Sequence, residues 1–315
     1  MYKKLWHDNC YLQEVGEFMD EFLMKPKIDF AFKEIMENNE VRKGFLAAVL
    51  KVNPEDIRNT QILNPYLRKI HENDKLGILD VRVLLNNDTE IDTEIQLAEF
   101  AAWANRTLFY LSKMFADQIE KGQDYSLLKK CVSISILDFV LFKDEETEFY
   151  SCFHIREDSR NFLYTDKMEF HVIELPKLPE KLKEDDNLLL WAKFINAERK
   201  EEFDMLAEKS PYINSAYQHL QVISQDKKKR LEYEAREKAV RDHNQMMKEA
   251  RERGMQEGRR EGMREGMQEG RREGKRESII EVAENFIKLG LGTAEISKGT
   301  GLSENEIEGL RKKKK

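Results

Sequence analysis

Asp80, Glu94 and Gln96 are the residues of this chain whose types and spacing could hold a hard cation. They lie in GILDVRVLLNNDTEIDTEIQL, residues 77–97, where apolar and polar positions alternate as in a β-hairpin. Val81, Val83 and Leu85 point one way; Asp80, Arg82 and Leu84 point the other. In the second strand Ile91, Thr93, Ile95 and Leu97 oppose Asp92, Glu94 and Gln96. The break falls at Asn86-Asn87-Asp88, residues suited to a turn. A three-residue loop at 86–88 sets Asp80 opposite Glu94, whereas a loop at 87–89 sets it opposite Gln96. In either register the three share one face, within about 5–8 Å of each other. Two carboxylates that close repel unless a positive charge sits between them. Mg²⁺ meets that need, taking a couple of carboxylates and keeping several waters. The same alternation also describes the wet side of an ordinary hairpin.

The elements that must position these residues can be read on either side. Asp29–Asn38 and Glu40–Leu50 carry apolar residues at three- and four-residue spacing, which predicts two helices, followed by a capped turn at Asn53-Pro54-Glu55-Asp56. A long amphipathic helix is expected from Glu99 to Lys121, closed by Gly122. CVSISILDFVLF, residues 131–142, reads as a central strand, with further strands near Phe149–Ile155 and Glu169–Leu175. Pro176 and Pro179 end the sheet region, and helical periodicity returns from Asp186 to about Gln225.

Charge is unevenly spread over the 315 residues. Residues 1–225 hold 29 Lys/Arg against 41 Asp/Glu, a net of −12, while 226–277 hold 17 against 13, a net of +4. A binder relying on non-specific phosphate neutralisation would be basic in its folded part, so any nucleic-acid contact there must be local or cation-assisted. Cys10, Cys131 and Cys152 are too few and scattered for a disulfide framework or a zinc site, which points to a reducing, cytoplasmic setting. No secretory signal is visible, and no window approaches the roughly twenty apolar residues of a membrane span. His7, His71, His154, His171, His219 and His243 lack ligand spacing, and neither a nucleophile elbow nor a phosphate-cradling glycine loop appears.

Taken in order, Asp29-Phe30-Ala31-Phe32-Lys33, Leu79-Asp80-Val81-Arg82 and Thr93-Glu94-Ile95-Gln96 resemble the Rpn family of recombination-promoting nucleases and transposases, within the PD-(D/E)XK superfamily. Arg106 with Tyr110, Gly122 with Tyr125, the VSISIL strand and Glu174-Leu-Pro-Lys add to the likeness, which covers about residues 24–200. The resemblance implies an α/β, restriction-endonuclease-like core of mixed sheet flanked by helices, acting on DNA with Mg²⁺ or another divalent cation. It implies Asp80, Glu94 and the Ile95 carbonyl as metal ligands. The superfamily's usual third residue is Lys; here it is Gln96, which can orient a water but brings no charge. Lys33 then becomes a candidate for the missing positive role, with Asp29 beside it, although residues four apart on a helix equally read as a surface ion pair. Glu34 is a third acid from the same helix. Arg106 and Arg82 are candidate DNA contacts, and Arg106 could equally neutralise the acidic hairpin. Asp92 shares the polar face and is expected to be exposed to solvent rather than to support the metal ligands. The rival reading is a non-enzymatic DNA-binding or assembly protein on a degenerate nuclease scaffold, favoured by Gln96 and the acidic core.

These readings divide the chain into an extension (1–23), a nuclease-like domain (24–200), a helical extension (201–225), a charged tail (226–277) and a small helical module (278–315). The extension reads as an added helix or as sequence upstream of a native start near Met24, with the second expected. The tail repeats GMQE-GRRE-GMRE-GMQE-GRRE-GKRE, with glycines at 254, 258, 262, 266, 270 and 274. Each Gly costs a helix up to about 1 kcal/mol, so the segment predicts a marginal helix, either a solvated spacer or a surface for self-association. The last module resembles a helix-turn-helix, with Thr293 and Ser303 expected as N-caps and Lys312–Lys315 able to reach phosphates, and it reads equally as a small helical packing or dimerisation unit.

Overall fold

The computed structural model describes residues 22–67, 79–99, 102–143, 148–182 and 186–312. Trp6 and Phe18 of the extension, and Lys313–Lys315, lie outside the described residues. The chain forms two compact units, 1–242 and 243–315.

In the first unit α1 (Asp29–Met36) and α2 (Asn39–Leu50) follow the expected periodicity. Asn38 caps α2, its Oδ1 accepting from Glu40 N at 3.0 Å and Val41 N at 3.3 Å. β1 (Thr60–Ile62) comes next, then β2 (Val81–Leu85) and β3 (Thr89–Gln96). The short β1 was not anticipated, because three residues carry too little alternation to be read. It is tied down by buried Arg42, whose Nε donates to Thr60 Oγ1 at 3.0 Å and whose Nη1 donates to Met36 O at 2.6 Å. α3 (Trp103–Ala116) is shorter than the predicted 99–121, since the chain leaves the helix at Asp117 and Gly122 closes a later turn at φ 89°. β4 (Lys130–Leu137), β5 (Tyr150–Arg156) and β6 (Leu163–Glu174) complete the sheet, and α4 (Asn187–Asn196), α5 (Lys200–Ala207) and α6 (Pro211–Gln225) follow.

The sheet order is β1-β2-β3-β4-β6-β5, with β3, β4 and β6 parallel and the other pairs antiparallel. It is the mixed sheet flanked by helices that the resemblance implied. Ile91, Ile95, Val132, Ile134, Ile136 and Ile173 join one core with α1, α2 and α4–α6. A succession of edge-to-face rings, Phe32–Phe45–Trp191–Phe194–Phe203, threads that layer at centroid distances of 5.5–5.9 Å. α2 and α6 approach so closely that a Cβ on Gly44 would lie 2.4 Å from Tyr212. On the other face α3 packs Trp103 against Leu137 and Val172, and Leu111 and Met114 near Cys131.

α7 (Lys227–Lys288) begins in the first unit. Composition changes at residue 226, yet packing continues: Tyr233 is buried, and its hydroxyl accepts from Lys25 N at 3.1 Å. In the second unit the end of α7, α8 (Thr293–Thr300) and α9 (Glu304–Lys312) bury Ala283, Ile296, Leu302 and Ile307 together. Ser303 caps α9 as expected: its Oγ accepts from Glu306 N at 3.4 Å, and its own N donates to the Glu306 carboxylate at 3.0 Å. Thr293 does not cap α8. It is the first helical residue, and the carboxylate of Glu295 reaches back to Gly292 N at 3.0 Å.

Burial of Tyr233 sets an expectation for truncation. Burying such a ring contributes about 2–3 kcal/mol, or roughly 5–10 °C in Tm for a unit of this size. A chain ending after Ser224 should therefore melt lower, by about that amount, than one ending after Asp242. Equal melting by circular dichroism would show that the start of α7 adds nothing to the core.

Candidate active site

The loop between β2 and β3 decides which residues meet. Asn86 and Asn87 take left-handed φ of 50° and 64°, a conformation Asn tolerates well. The Asn86 side chain locks the loop, accepting from Arg58 N at 2.8 Å and donating to Asp56 O at 3.0 Å. With Leu85 paired to Thr89 and Val81 to Thr93, the loop is the three-residue one, 86–88. The same register extended by one residue sets Asp80 opposite Glu94. Asp80 sits just before β2, and its Oδ2 accepts from Ile95 N at 3.4 Å.

Each carboxylate of the pair has its own cation. Lys33 of α1 brings Nζ within 2.9 Å of Asp80 Oδ1, and Arg106 of α3 brings Nη2 within 3.3 Å of Glu94 Oε1. Arg106 is held over the rings of Tyr110 and Trp103, at 4.9 and 5.8 Å, and Trp103 Nε1 donates to Ser135, the strand neighbour of Glu94. Burial raises the pKa of Glu94, with Arg106 opposing and Asp80 adding to the rise. Burial by itself would lower Arg106, but Glu94 and neighbouring groups outweigh it and the guanidinium is stabilised.

Asp92 corrects the sequence expectation. It is buried, not solvent-exposed, and among the described residues its Oδ1 has no hydrogen-bond partner. Its pKa is raised well above the ordinary carboxylate range, first by burial and then by Glu94 and Asp80. The physical reason is α3: this helix covers the strand face that a hairpin alone would leave wet.

The remaining candidates fall around this centre. Asp29 stands 4.0 Å from Lys33 and is held by Arg236 of α7, with Nη2 at 2.7 Å from Oδ2. Sequence reasoning missed Arg236, 207 residues away inside a charged run where no spacing marks it. Glu34 pairs with Lys229 instead of turning to Asp80. Gln96 Nε2 donates to Ala98 O at 3.1 Å. Arg82 is paired to Glu90 and donates to Asn64 O at 3.1 Å. Glu174, of the Glu-Leu-Pro-Lys match, is a structural clamp: its carboxylate takes Leu141 N, Phe142 N and Lys177 Nζ.

Among the described residues no group of three or more His, Cys, Asp or Glu side chains is arranged as a metal cage. The ligands that the resemblance implies, Asp80, Glu94 and the Ile95 carbonyl, would form a sparser set of the kind that Mg²⁺ accepts when water completes it. Three carboxylates (Asp80, Asp92, Glu94) face two cations (Lys33, Arg106), one carboxylate oxygen is orphaned, and two of the acids have raised pKa values. That excess of negative charge fits a divalent cation.

A family model described as PD-(D/E)XK nuclease family transposase matches residues 26–250. The chain belongs to that family. No curated protein and no solved structure matches it with comparable significance. The family match contains every site element above, including α7 as far as Tyr233 and Arg236. A nuclease or transposase-related function, with DNA as the substrate class, follows from membership.

The strain at Asp92 is measurable. Its folded pKa lies above the unfolded value, so ionisation destabilises the fold above the ordinary carboxylate range. Asp92→Asn should therefore raise the Tm of metal-free protein at neutral and basic pH. The gain should shrink as pH falls toward about 4, where the wild-type carboxyl is also neutral. A Tm unchanged or lowered at every pH would mean that Asp92 is not a source of strain.

Proposed function

We propose that the chain is a divalent-metal-dependent DNA endonuclease serving recombination or transposition. The observation that carries this reading is the Asp80–Glu94 pair, set opposite each other by the 86–88 loop at the end of a central hairpin. Asp80, Glu94 and the Ile95 carbonyl would hold Mg²⁺, which supplies Lewis-acid charge at the scissile phosphate and acidifies a nearby water.

The chain's own residues do the rest. Lys33, already 2.9 Å from Asp80, places a fixed positive charge where the phosphate gains negative charge in the transition state. It takes the role that Lys fills elsewhere in the superfamily, because Gln96 carries no charge. The Gln96 carboxamide accepts and donates hydrogen bonds and so can align the attacking water. Asp29, clamped by Arg236, keeps Lys33 from swinging into solvent. Arg106 neutralises Glu94 and is exposed enough to turn to a phosphate when a cation takes its place. Arg82, held by Glu90, contributes by shaping the acidic face rather than by free reach. The net charge of −12 over residues 1–225 makes DNA contact local and cation-assisted.

The second reading, a non-catalytic DNA-binding or assembly protein, draws on the closure of Arg106 upon Glu94 and on Gln96. Plasmid cleavage with Mg²⁺ against EDTA separates the two. Asp80→Ala and Glu94→Ala should each lower cleavage by at least about 10²–10³-fold while the metal-free Tm holds or rises. Lys33→Ala should also lose most of the rate. Cleavage surviving in the Asp80 or Glu94 variant sinks the assignment.

Self-association through α7 completes the proposal. A Cβ at Gly254, Gly258, Gly262, Gly266, Gly270 or Gly274 would meet nothing within 4 Å, so no packing inside the chain demands glycine there. Light scattering should give a multiple of the chain mass for the full protein and a monomer for a chain ending after Asp242. The same state for both would remove the tail as an assembly element.

A further inference from the structure

A second cluster of reactive groups lies on the other face of the sheet. Cys152 of β5 pairs with His171 of β6, and His154 pairs with Glu169. Next in the sheet, His171 lies beside Ile134 and Glu169 beside Val132, which pair with Thr93 and Ile91 of β3. By strand alternation this row faces away from Asp92 and Glu94. None of its residues enters the proposed nuclease chemistry.

The groups are wired together. Glu169 Oε1 takes Lys130 Nζ at 2.7 Å and His154 Nε2 at 2.9 Å, while Oε2 stands 3.4 Å from His171 Nε2. The other nitrogen of His171, Nδ1, is 2.9 Å from the Tyr150 hydroxyl. Cys152 Sγ is 3.9 Å from His154 Nδ1, the ring whose Nε2 is held by Glu169. Burial would raise the Glu169 pKa, but hydrogen bonds from His171, Lys130 and His154 outweigh it and hold it at about 2, so the carboxylate stays ionised. His171, buried yet flanked by Cys152 and Glu169, is raised, and its proximity lowers the Cys152 thiol. Cys131 shows the opposite environment: burial pushes it up to about 12.

Cys152 is also reachable. It is exposed on the edge strand, and its neighbour Tyr150 lines a cavity of about 580 Å³ together with Lys51. Lys51 Nζ sits 4.7 Å over the Tyr150 ring. An acid holding an imidazole, with that imidazole facing an exposed thiol, makes an activated nucleophile.

We propose that Cys152, positioned by His154 and Glu169, is a modification site that exchanges with the disulfide of a small oxidised thiol. The Cys152 thiolate attacks one sulfur of R–S–S–R, the new Cys152–S–S–R bond forms as the old S–S bond breaks, and RS⁻ leaves. His154 Nδ1 takes the proton lost by the thiol and gives it to the leaving thiolate, while its Nε2 stays on Glu169. Cys152 is oxidised and one R group leaves reduced, as RSH.

The test uses the full chain with 2-hydroxyethyl disulfide as the exchange probe and iodoacetamide as the rate probe, read site by site by mass spectrometry. The mixed disulfide should form on Cys152 and not on Cys131. Alkylation of Cys152 should reach half its maximal rate well below the ordinary thiol value of about 8.5. At pH ~6.5 it should run at least about tenfold faster than the same cysteine in urea. Glu169→Gln and His154→Gln should each move the pH profile up toward that of the unfolded chain. Should either variant fail to fold, the wild-type comparison in native buffer and urea decides alone. Coincident native and unfolded profiles, or folded variants whose profile matches wild type, overturn the proposal.

Discussion

Burying carboxylates on a central strand is among the more expensive things a fold can do, and much of this molecule is organised around that cost. Glu90, Asp92 and Glu94 follow one another on the same face of β3, and all three are buried. Without compensation they would neutralise or unfold the hairpin. The compensation comes from separate elements: Arg82 along the sheet, Arg106 from the helix above it and Lys33 from the helix at its end. Asp92 is left over, its Oδ1 without a hydrogen-bond partner among the described residues.

The same constraint explains why the supporting parts are so well anchored. Arg106 is useful only if its guanidinium stays over Glu94, and stacking on Tyr110 and Trp103 fixes it there. Trp103 is fixed in turn by Leu137, Val172 and the Ser135 hydroxyl. Lys33 is steadied by Asp29, and Asp29 by Arg236. Long basic side chains lose rotamer freedom when ordered, so each stays in place only because its neighbours already restrict it.

The start of the tail helix belongs to this arrangement as much as the hairpin does. Tyr233 enters the core within the first turns of α7, and Arg236 follows one turn later on a position that reaches Asp29. A buried ring fixes the helix, and the fixed helix aims the charge. From there on the helix carries no core residues until Ala283, and the glycine repeat occupies the interval.

The sequence by itself determined the local elements and the ordered set of polar residues. Alternation in 79–97 and three- and four-residue spacing in 29–50 are strong because each is set by one exposed and one buried face. Asp29, Lys33, Asp80, Glu94 and Gln96 could be picked out along the chain, and it was the resemblance of that ordered set to a known family that implied the α/β class. Two hairpin registers remained open, and only tertiary structure chose between them. The Asn86 side chain binds backbone from 56–59, a contact between segments that periodicity does not record. Burial of Asp92 was hidden because a strand pattern reports two faces but not what covers them; α3 covers the second. Arg236 was invisible because it meets Asp29 only after six strands have been laid between them. Spacing reports neighbours along the chain, and ion pairs this distant in sequence form only once packing has brought the two helices together.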